Sequence, residues 1–451
     1  MWKIEKVSPV PKKYPPETEN DIRKFSGTHY FSKLFERFIV KWIHEDVDKN
    51  LDPANYGGVK GKGTAHYIVK LIHDMLKNLD NNSRGEINAI IATFYDWSKA
   101  FDIQCHRLGI LSFIECGVRP CLIPLLVSYL QERSMTVKYR TAVSSPRNLP
   151  GGGAQGTLIG PMEYACQSNK SANCVEEDKR YKFIDDLTTI EVLDILMKIV
   201  SYNFHNHVAS DNGSHGQYIP KEEIKTQTFV TSINEWTDNQ KMKLNTDKTK
   251  YMLINFTNNY QFNSRLTLKG KVLECIDQIK LLGTEITSDL SWKTNTASIV
   301  KKAFGRLTLL RKLGGYAAKD VDMIIIYILY IRSLVEYNCV VWHSIITDEE
   351  IDDLERFQKC SMRIILQNRF TTYEEALENF KLETLKIRRE KLCLEFGEKC
   401  LKHPDLSKWF PLNCQTNYEI RNGEKFEVNF ANTERYRMST IPYLQRLLNL
   451  N

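Results

Sequence analysis

Hydrophobic and polar positions follow two periods along this chain. From Phe31 to Asp46 the apolar residues Phe31, Leu34, Phe35, Phe38, Ile39, Trp42 and Ile43 recur at helical spacing with charges between them, which predicts a helix. A glycine-rich stretch from Gly57 to Thr64 leads into a second predicted helix from about Ala65 to Leu79. Ile87 to Tyr95 is almost wholly apolar and β-rich, the pattern of a buried strand. Helices are expected from His106 and over Leu122–Gln131, then a strand around Val137–Tyr139. Pro150-Gly151-Gly152-Gly153 breaks the chain, and Lys182–Ile184 reads as a short strand running into two aspartates.

Between Asp194 and Tyr218 the sequence turns polar, and Asp211-Asn212-Gly213-Ser214 predicts an exposed loop. Helix (about 225 to 240), strand (Tyr251–Phe256) and hairpin strands between 266 and 286 come next. Ser298 to about Cys400 is dominated by helical periodicity, and the tail after Trp409 reads as irregular. Residues 1 to 30 carry most of the early prolines and read as short strands and turns. No fixed-period repeat is present, which excludes a solenoid or propeller. The expected class is α+β, mixed in the first two thirds and helical in the last.

Composition narrows this little. At 451 residues, 42% hydrophobic and 26% charged, the chain has the makeup of a globular protein and not of a disordered one. A net charge of +7 is modest for this length, so only clustering of basic residues on one face would indicate an acidic partner. Eleven scattered cysteines without a CxxC pair argue for a reducing compartment rather than a disulfide framework. Cys393, Cys400, His403 and Cys414 are spaced too irregularly for a zinc site and read as ordinary thiols. The N-terminus is charged where a signal peptide is apolar. The longest apolar run, Met323–Ile331, falls short of the ~18 to 20 residues of a membrane span. The expectation is a soluble intracellular protein with no membrane partner, nucleus and cytoplasm not being distinguished.

Candidate chemistry centres on three aspartates. Asp96 ends the apolar strand Ile90–Tyr95, and Asp185 and Asp186 end the short segment Tyr181–Ile184. A carboxylate at a strand end is rigidly aimed, and hard divalent cations such as Mg²⁺ prefer such oxygens. Two ions ~3.5 to 4 Å apart can stabilise the entering and leaving oxygens of a phosphoryl displacement. Any one of these aspartates alone reads as the start of a turn or a helix cap. Adjacent aspartates after an aromatic-apolar strand repel unless a cation lies between them.

Phe94-Tyr95-Asp96-Trp97-Ser98-Lys99-Ala100-Phe101-Asp102, the run Gly151-Gly152-Gly153-Ala154-Gln155-Gly156-Thr157-Leu158-Ile159-Gly160-Pro161, and Phe183-Ile184-Asp185-Asp186 follow one another along the chain. In this order they resemble three motifs of the reverse transcriptases of non-LTR retrotransposons. Asn245–Lys250, Lys280-Leu281-Leu282-Gly283, Val335-Glu336-Tyr337, Val341-Trp342-His343 and Leu354–Lys359 extend the resemblance, as do Val10–Lys13, Asp21–Ser26 and Ser32–Arg37.

The resemblance implies a right-hand polymerase: fingers (1–85), palm (86–290), thumb-like helices (291–345) and a helical C-terminal region (346–451). It implies an RNA-directed DNA polymerase acting on an RNA template, a DNA primer and dNTPs with two Mg²⁺ ions, for which Mn²⁺ can substitute. Asp96, Asp185 and Asp186 would be the catalytic metal ligands. Lys13 and Arg23 would hold the triphosphate, Phe101 would block a ribose 2′-hydroxyl, Gln155 would contact template or nucleotide, and Lys248 would protonate the leaving pyrophosphate. In the predicted helix Ser298–Leu313 the apolar residues share one side while Lys301, Lys302, Arg306 and Lys312 fall on the other, Arg311 alone being misplaced. That basic face suits a nucleic-acid backbone. The run Lys386, Arg388, Arg389 and Lys391 is a weaker candidate.

Departures from the family's pattern are also legible. Met162–Lys170 is polar where the family carries an apolar helix, so poor packing is expected there. Lys24 and Ala154 stand where proline is usual. The chain begins at the fingers motif, with no endonuclease before it and no RNase H pattern after the thumb. Two other readings follow: an inactive remnant that keeps the fold and binds nucleic acid, and an RNA-dependent RNA polymerase, which Phe101 and Phe183 disfavour.

Overall fold

The computed structural model describes residues 3–80, 86–149, 151–153, 156–200, 215–220, 223–256, 265–413 and 425–450. Strands β1 (Ile4–Pro11) and β2 (Ile22–Gly27) precede helices α1 (Tyr30–Val47) and α2 (Thr64–Asp80). After β3 (Glu86–Tyr95) come α3 (His106–Glu115), β4 (Ser134–Tyr139) and α4 (Ile159–Gln167). The hairpin of β5 (Arg180–Phe183) and β6 (Asp186–Val200) leads to β7 (His215–Pro220), α5 (Thr226–Asn239) and β8 (Lys250–Ile254). A second hairpin, β9 (Gln278–Leu281) and β10 (Thr284–Thr287), hands over to α6 (Lys293–Gly315), α7 (Asp348–Leu366), α8 (Leu385–Leu401) and α9 (Thr440–Leu450).

Two sheets organise the first two thirds. In one, β1 pairs antiparallel with β2 and parallel with β4. In the other, β8, β3, β6 and β5 lie side by side, and β7 shares the edge of β6 that β5 uses. The expected helices over 31–46 and 65–79 and the strand over 87–95 are all present. The α+β class also holds, with helices dominating after Thr287.

Helix α2 lies between the second sheet and the C-terminal helices, which explains why it is buried nearly all round. Tyr67, Ile68, Leu71 and Met75 are fully enclosed, each apolar side chain contributing about 1.5–3 kcal/mol relative to exposure. The Tyr67 hydroxyl donates to Thr188 Oγ1 (2.6 Å) and the Tyr181 hydroxyl to Asp74 Oδ2 (2.6 Å), so the helix is pinned to β5 and β6. On its far side Asp80 accepts from the Asn432 and Thr433 backbone nitrogens (2.7 and 2.8 Å).

Five expectations need correction. β6 and β7 occupy the flanks of the expected loop 194–218, because Ile195, Ile199 and Val200 give β-branched weight to a stretch that looks polar overall; Asp211–Ser214 lie outside the described residues. The tail is not irregular throughout: α9 closes the core with Ile441, Leu444 and Leu447 at helical spacing. Helix α6 begins at Lys293, not Ser298, since its first turns bury the polar Asn295 and Thr296, and Asn295 Oδ1 accepts from the Glu285 backbone nitrogen (3.1 Å). Arg311 is exposed with the other cations and is not turned to the core.

The apolar helical segment Asp320–Trp342 is long enough to cross a membrane by length and composition. Here its residues Met323, Tyr327, Ile331, Val335 and Trp342 are buried in the core with α6 and α7. Cys393 and Cys400 are free and buried, burial pushing the Cys400 thiol up to about 12; Cys414 lies outside the described residues.

The polar segment after Pro161 is the fifth correction. It forms α4, in which Met162, Glu163, Tyr164, Ala165, Cys166 and Gln167 are all buried. The cost falls on its polar side chains: the Tyr164 hydroxyl and the Gln167 amide are buried without hydrogen-bond partners. Both carboxyl oxygens of Glu163 are buried without a hydrogen-bond partner, and burial pushes its pKa up to about 8. An acid whose folded value is raised costs nothing below its unfolded value near 4.5 and destabilises progressively as pH rises through 8. The loss should reach on the order of 4 kcal/mol by pH 8. Glu163→Gln should therefore melt higher than the parent at pH 8 and level with it near pH 4, measured by thermal unfolding across pH; a pH-independent difference would refute the assignment.

Candidate active site

The antiparallel ladder between β3 and β6 ends at Tyr95↔Leu187. One residue further along each strand are Asp96 and Asp186, so register alone puts these carboxylates side by side. Asp185 sits between them and β5, in the two-residue turn closed by the Phe183↔Asp186 pair. Ile184 takes φ +56° at the first turn position, where glycine is usual. A β-branched residue in the left-handed region costs about 1–3 kcal/mol and persists only where surroundings over-determine it.

Those surroundings are explicit. Lys182 N donates to Ala54 O (2.9 Å) and Tyr56 N to Lys182 O (2.8 Å), lacing β5 to the loop before α2. Below the turn Asp52, buried, meets Lys182 Nζ at 2.6 Å and Arg180 Nε at 3.0 Å. Burial works to raise Asp52, but the two cations prevail and hold it below the usual carboxylate range. Gly57 packs so closely that an added Cβ would collide with the Ile184 backbone nitrogen.

The third strand supplies the opposing charge. β8 pairs with β3 from Ile254↔Ile90 to Lys250↔Phe94, and Asn245 N donates to Asp96 O at 2.8 Å. Asn245 Oδ1 accepts from the backbone nitrogens of Asp247 (3.0 Å) and Lys248 (3.3 Å), an Asx turn that aims Lys248 inward. Lys248 Nζ stands 3.7 Å from Asp96 Oδ2, an oxygen that is buried and accepts no hydrogen bond. Burial raises Asp96 against the pull of Lys248, and burial raises Asp185, which Arg23 and Lys248 partly offset. Asp186 goes furthest: burial, then Asp185 and Asp96, push it up to about 7.

Phe101 stacks on Tyr164 of α4 with ring centroids 5.0 Å apart, and its carbonyl accepts from Gly153 N (2.6 Å). Gly152 N donates to Gln104 O (2.7 Å), so the glycine loop lies against the turn that carries Phe101. Gln155 lies outside the described residues. Arg23 is exposed on β2 and near enough to act on Asp185. Lys13 is instead paired with Glu17 (3.0 Å) and Asp21 (3.4 Å) in the β1–β2 connection.

On α6, Lys301, Lys302 and Lys312 are exposed, Lys302 lying 3.8 Å from Glu285. Arg306 folds over the Tyr330 ring at 4.1 Å. The run after Leu385 makes no free basic face: Arg389 is buried over Trp342, while Arg388 and Lys391 pair with Glu336 and Glu383. Three residues have roles that sequence reasoning did not assign. Lys24 meets Asp102 at 3.4 Å, Tyr164 backs Phe101, and Asn245 shapes the Lys248 turn. Only Asn245 had a local signal, the Asn-Thr-Asp turn pattern.

The donor set is hard oxygen, with an orphaned carboxylate oxygen at Asp96 and a carboxylate of raised pKa at Asp186, and it fits a divalent cation. Among the described residues no three His, Cys, Asp or Glu side chains already converge as a metal cluster.

This α+β chain, with carboxylates gathered at one sheet end, is similar in sequence to the RNA-directed DNA polymerases of non-LTR mobile elements. A probable polymerase from transposon BS of Drosophila melanogaster is 23% identical over 69% of this chain and 32% of its own length. Polymerases from the X-element (29% over 38% of this chain, 18% of its own) and from mobile element jockey (21% over 66%, 30% of its own), both of the same fly, also match. The chain thus spans a third or less of these relatives. Among solved structures, telomerase from Candida tropicalis with a fragment of telomeric RNA aligns with 100% of this chain and 61% of its own at 10% identity and TM-score 0.42. No family profile matches.

Because Asp186 is raised, its ionisation weakens the cation-free fold as pH climbs from about 4 to about 7. Asp186→Asn should raise the melting temperature at pH 8 without divalent cations and match the parent below pH 4. A variant no more stable at pH 8 would refute the crowding of these carboxylates.

Proposed function

We propose that this chain is an RNA-directed DNA polymerase that extends a DNA primer on an RNA template by nucleotidyl transfer. The observation that carries the reading is the register that sets Asp96 beside Asp185 and Asp186, with Lys248 opposite. In this reading residues 1–85 act as fingers, 86–290 as palm, 291–345 as thumb and 346–451 as a helical extension.

Asp96, Asp185 and Asp186 would hold two Mg²⁺ or Mn²⁺ ions, which would supply charge stabilisation for the transferred phosphoryl group. The chain's own groups do the positioning. Arg23 faces the triphosphate, and Lys13 joins it only by releasing Glu17 and Asp21. Phe101, held by Tyr164, fills the space beside the sugar so that a 2′-hydroxyl has no room. Lys248 Nζ, poised by the Asn245 turn, carries the proton for the departing pyrophosphate. The cations of α6 line the backbone of the primer–template duplex, and the β9–β10 hairpin, carrying Lys280–Gly283, supports the primer end.

The competing reading is a nucleic-acid binder without catalysis. The unpartnered Glu163, buried in α4 next to the Tyr164 that backs Phe101, favours it as a flaw in the packing behind the site. Primer extension on an RNA template with dNTPs and Mg²⁺ separates the two. The parent should extend, and the Asp185→Ala/Asp186→Ala variant should fall at least a thousandfold while still binding template–primer; equal extension by both would refute the metal assignment. Phe101→Ala should narrow the preference for dNTPs over rNTPs about tenfold or more, read from single-nucleotide incorporation, and an unchanged ratio would remove Phe101 from the sugar site.

A further inference from the structure

Helix α1 has two unlike faces. Ile39, Ile43 and Val47 turn inward with Ser32 and Glu36, and Glu36 Oε2 accepts from the Leu158 backbone nitrogen at 2.6 Å. On the outer face Phe31, Leu34, Phe38 and Trp42 are 59, 42, 55 and 40% exposed. At ~100° per residue they fall within one ~80° arc, and Lys33, Arg37 and Lys41 fill the arc beside it. A single exposed apolar residue is ordinary, but a row of three aromatics along one helix calls for a cause.

Charge identifies the occupant. Lys33, Arg37 and Lys41 are exposed and join no ion pair among the described residues. The acids near the far end of the same helix are already matched: Glu45 and Asp46 pair with Arg119 at 3.3 and 2.7 Å. The face is therefore aromatic with a net positive edge. A second copy docked through a two-fold axis would bring like charges together. Flat rings beside unmatched cations are instead the combination that stacks bases and holds phosphates of a single strand.

Position links the face to the glycine-rich loop. The Thr28 hydroxyl, two residues before α1, donates to Gly156 O at 3.3 Å, and Gly156 abuts Ser26 so closely that a Cβ would not fit. Phe31 to Trp42 spans ~16 Å of helix, room for about four stacked bases. We propose that this face of α1 carries the unpaired template strand, with bases on Phe31, Phe38 and Trp42 and phosphates on Lys33, Arg37 and Lys41; that the strand is a template rests on the polymerase reading above.

The test is fluorescence anisotropy of the full chain with a labelled 20-nucleotide oligo(U) and, separately, with a blunt RNA–DNA hybrid. Phe31→Ala/Phe38→Ala/Trp42→Ala should weaken single-strand binding about tenfold or more while hybrid affinity stays within about twofold. Lys33→Gln/Arg37→Gln/Lys41→Gln should flatten the salt dependence of single-strand binding by about two in the log–log slope. All six side chains are exposed, and thermal melting confirms that the variants fold. Unchanged single-strand affinity in both variants overturns the proposal. So does a parent that self-associates through this face, seen as a dimer lost on aromatic substitution with oligo(U) binding intact. Primer extension by the unaltered chain runs alongside: its absence would overturn the polymerase reading, while single-strand binding by α1 would stand or fall on the anisotropy alone.

Discussion

The ladder that joins β3 to β6 runs unbroken from Glu86↔Leu196 to Tyr95↔Leu187, and the rest of the site depends on it. A strand alternates its faces every residue, so a slip of one would send Asp96 to the opposite face from Asp186. Buried residues on both sides forbid that slip. Ile90 and Ala92 face one core, and Ala89 and Ile91 face the other. Hydrophobic burial on two faces thereby fixes an electrostatic arrangement at the strand ends. The carboxylates are brought together although they repel: burial raises all three, and neighbouring carboxylates raise Asp96 and Asp186 further.

The turn between β5 and β6 carries a second cost, the left-handed Ile184. It is held from below by an ion triad of Asp52, Lys182 and Arg180, and from the side by the two tyrosine hydroxyls that tie α2 to the strands. Salt bridges buried this deeply contribute little net stability, because desolvation offsets their attraction. Their geometry is directional, however. Lys182 also donates to the Asn169 carbonyl at 2.7 Å, so one ammonium joins three segments distant in sequence.

Much of this was legible in the sequence, for an identifiable reason. Strands and helices whose apolar residues are periodic, such as α1, α2 and β3, declare themselves locally. The aspartates stood out because each follows such a strand. What stayed hidden depends on contacts between distant segments. Nothing near Tyr164 says that its ring will meet Phe101, and nothing near Lys13 says that Glu17 and Asp21 will take up its charge. Helix α4 looked too polar to pack because sequence gives composition without surroundings. The fold buries it regardless and leaves polar atoms of Glu163, Tyr164 and Gln167 without partners.

Gly57 lies about forty residues before the first carboxylate and belongs to none of the motifs, yet its missing side chain is what lets the Ile184 backbone approach. Mutational drift therefore has a silent target here. A variant of this chain could keep every aspartate, lysine and aromatic of the site and still lose its geometry through one methyl group. Counting intact motif residues would then overestimate how well the site is preserved, and the small residues behind the turn would be the better gauge.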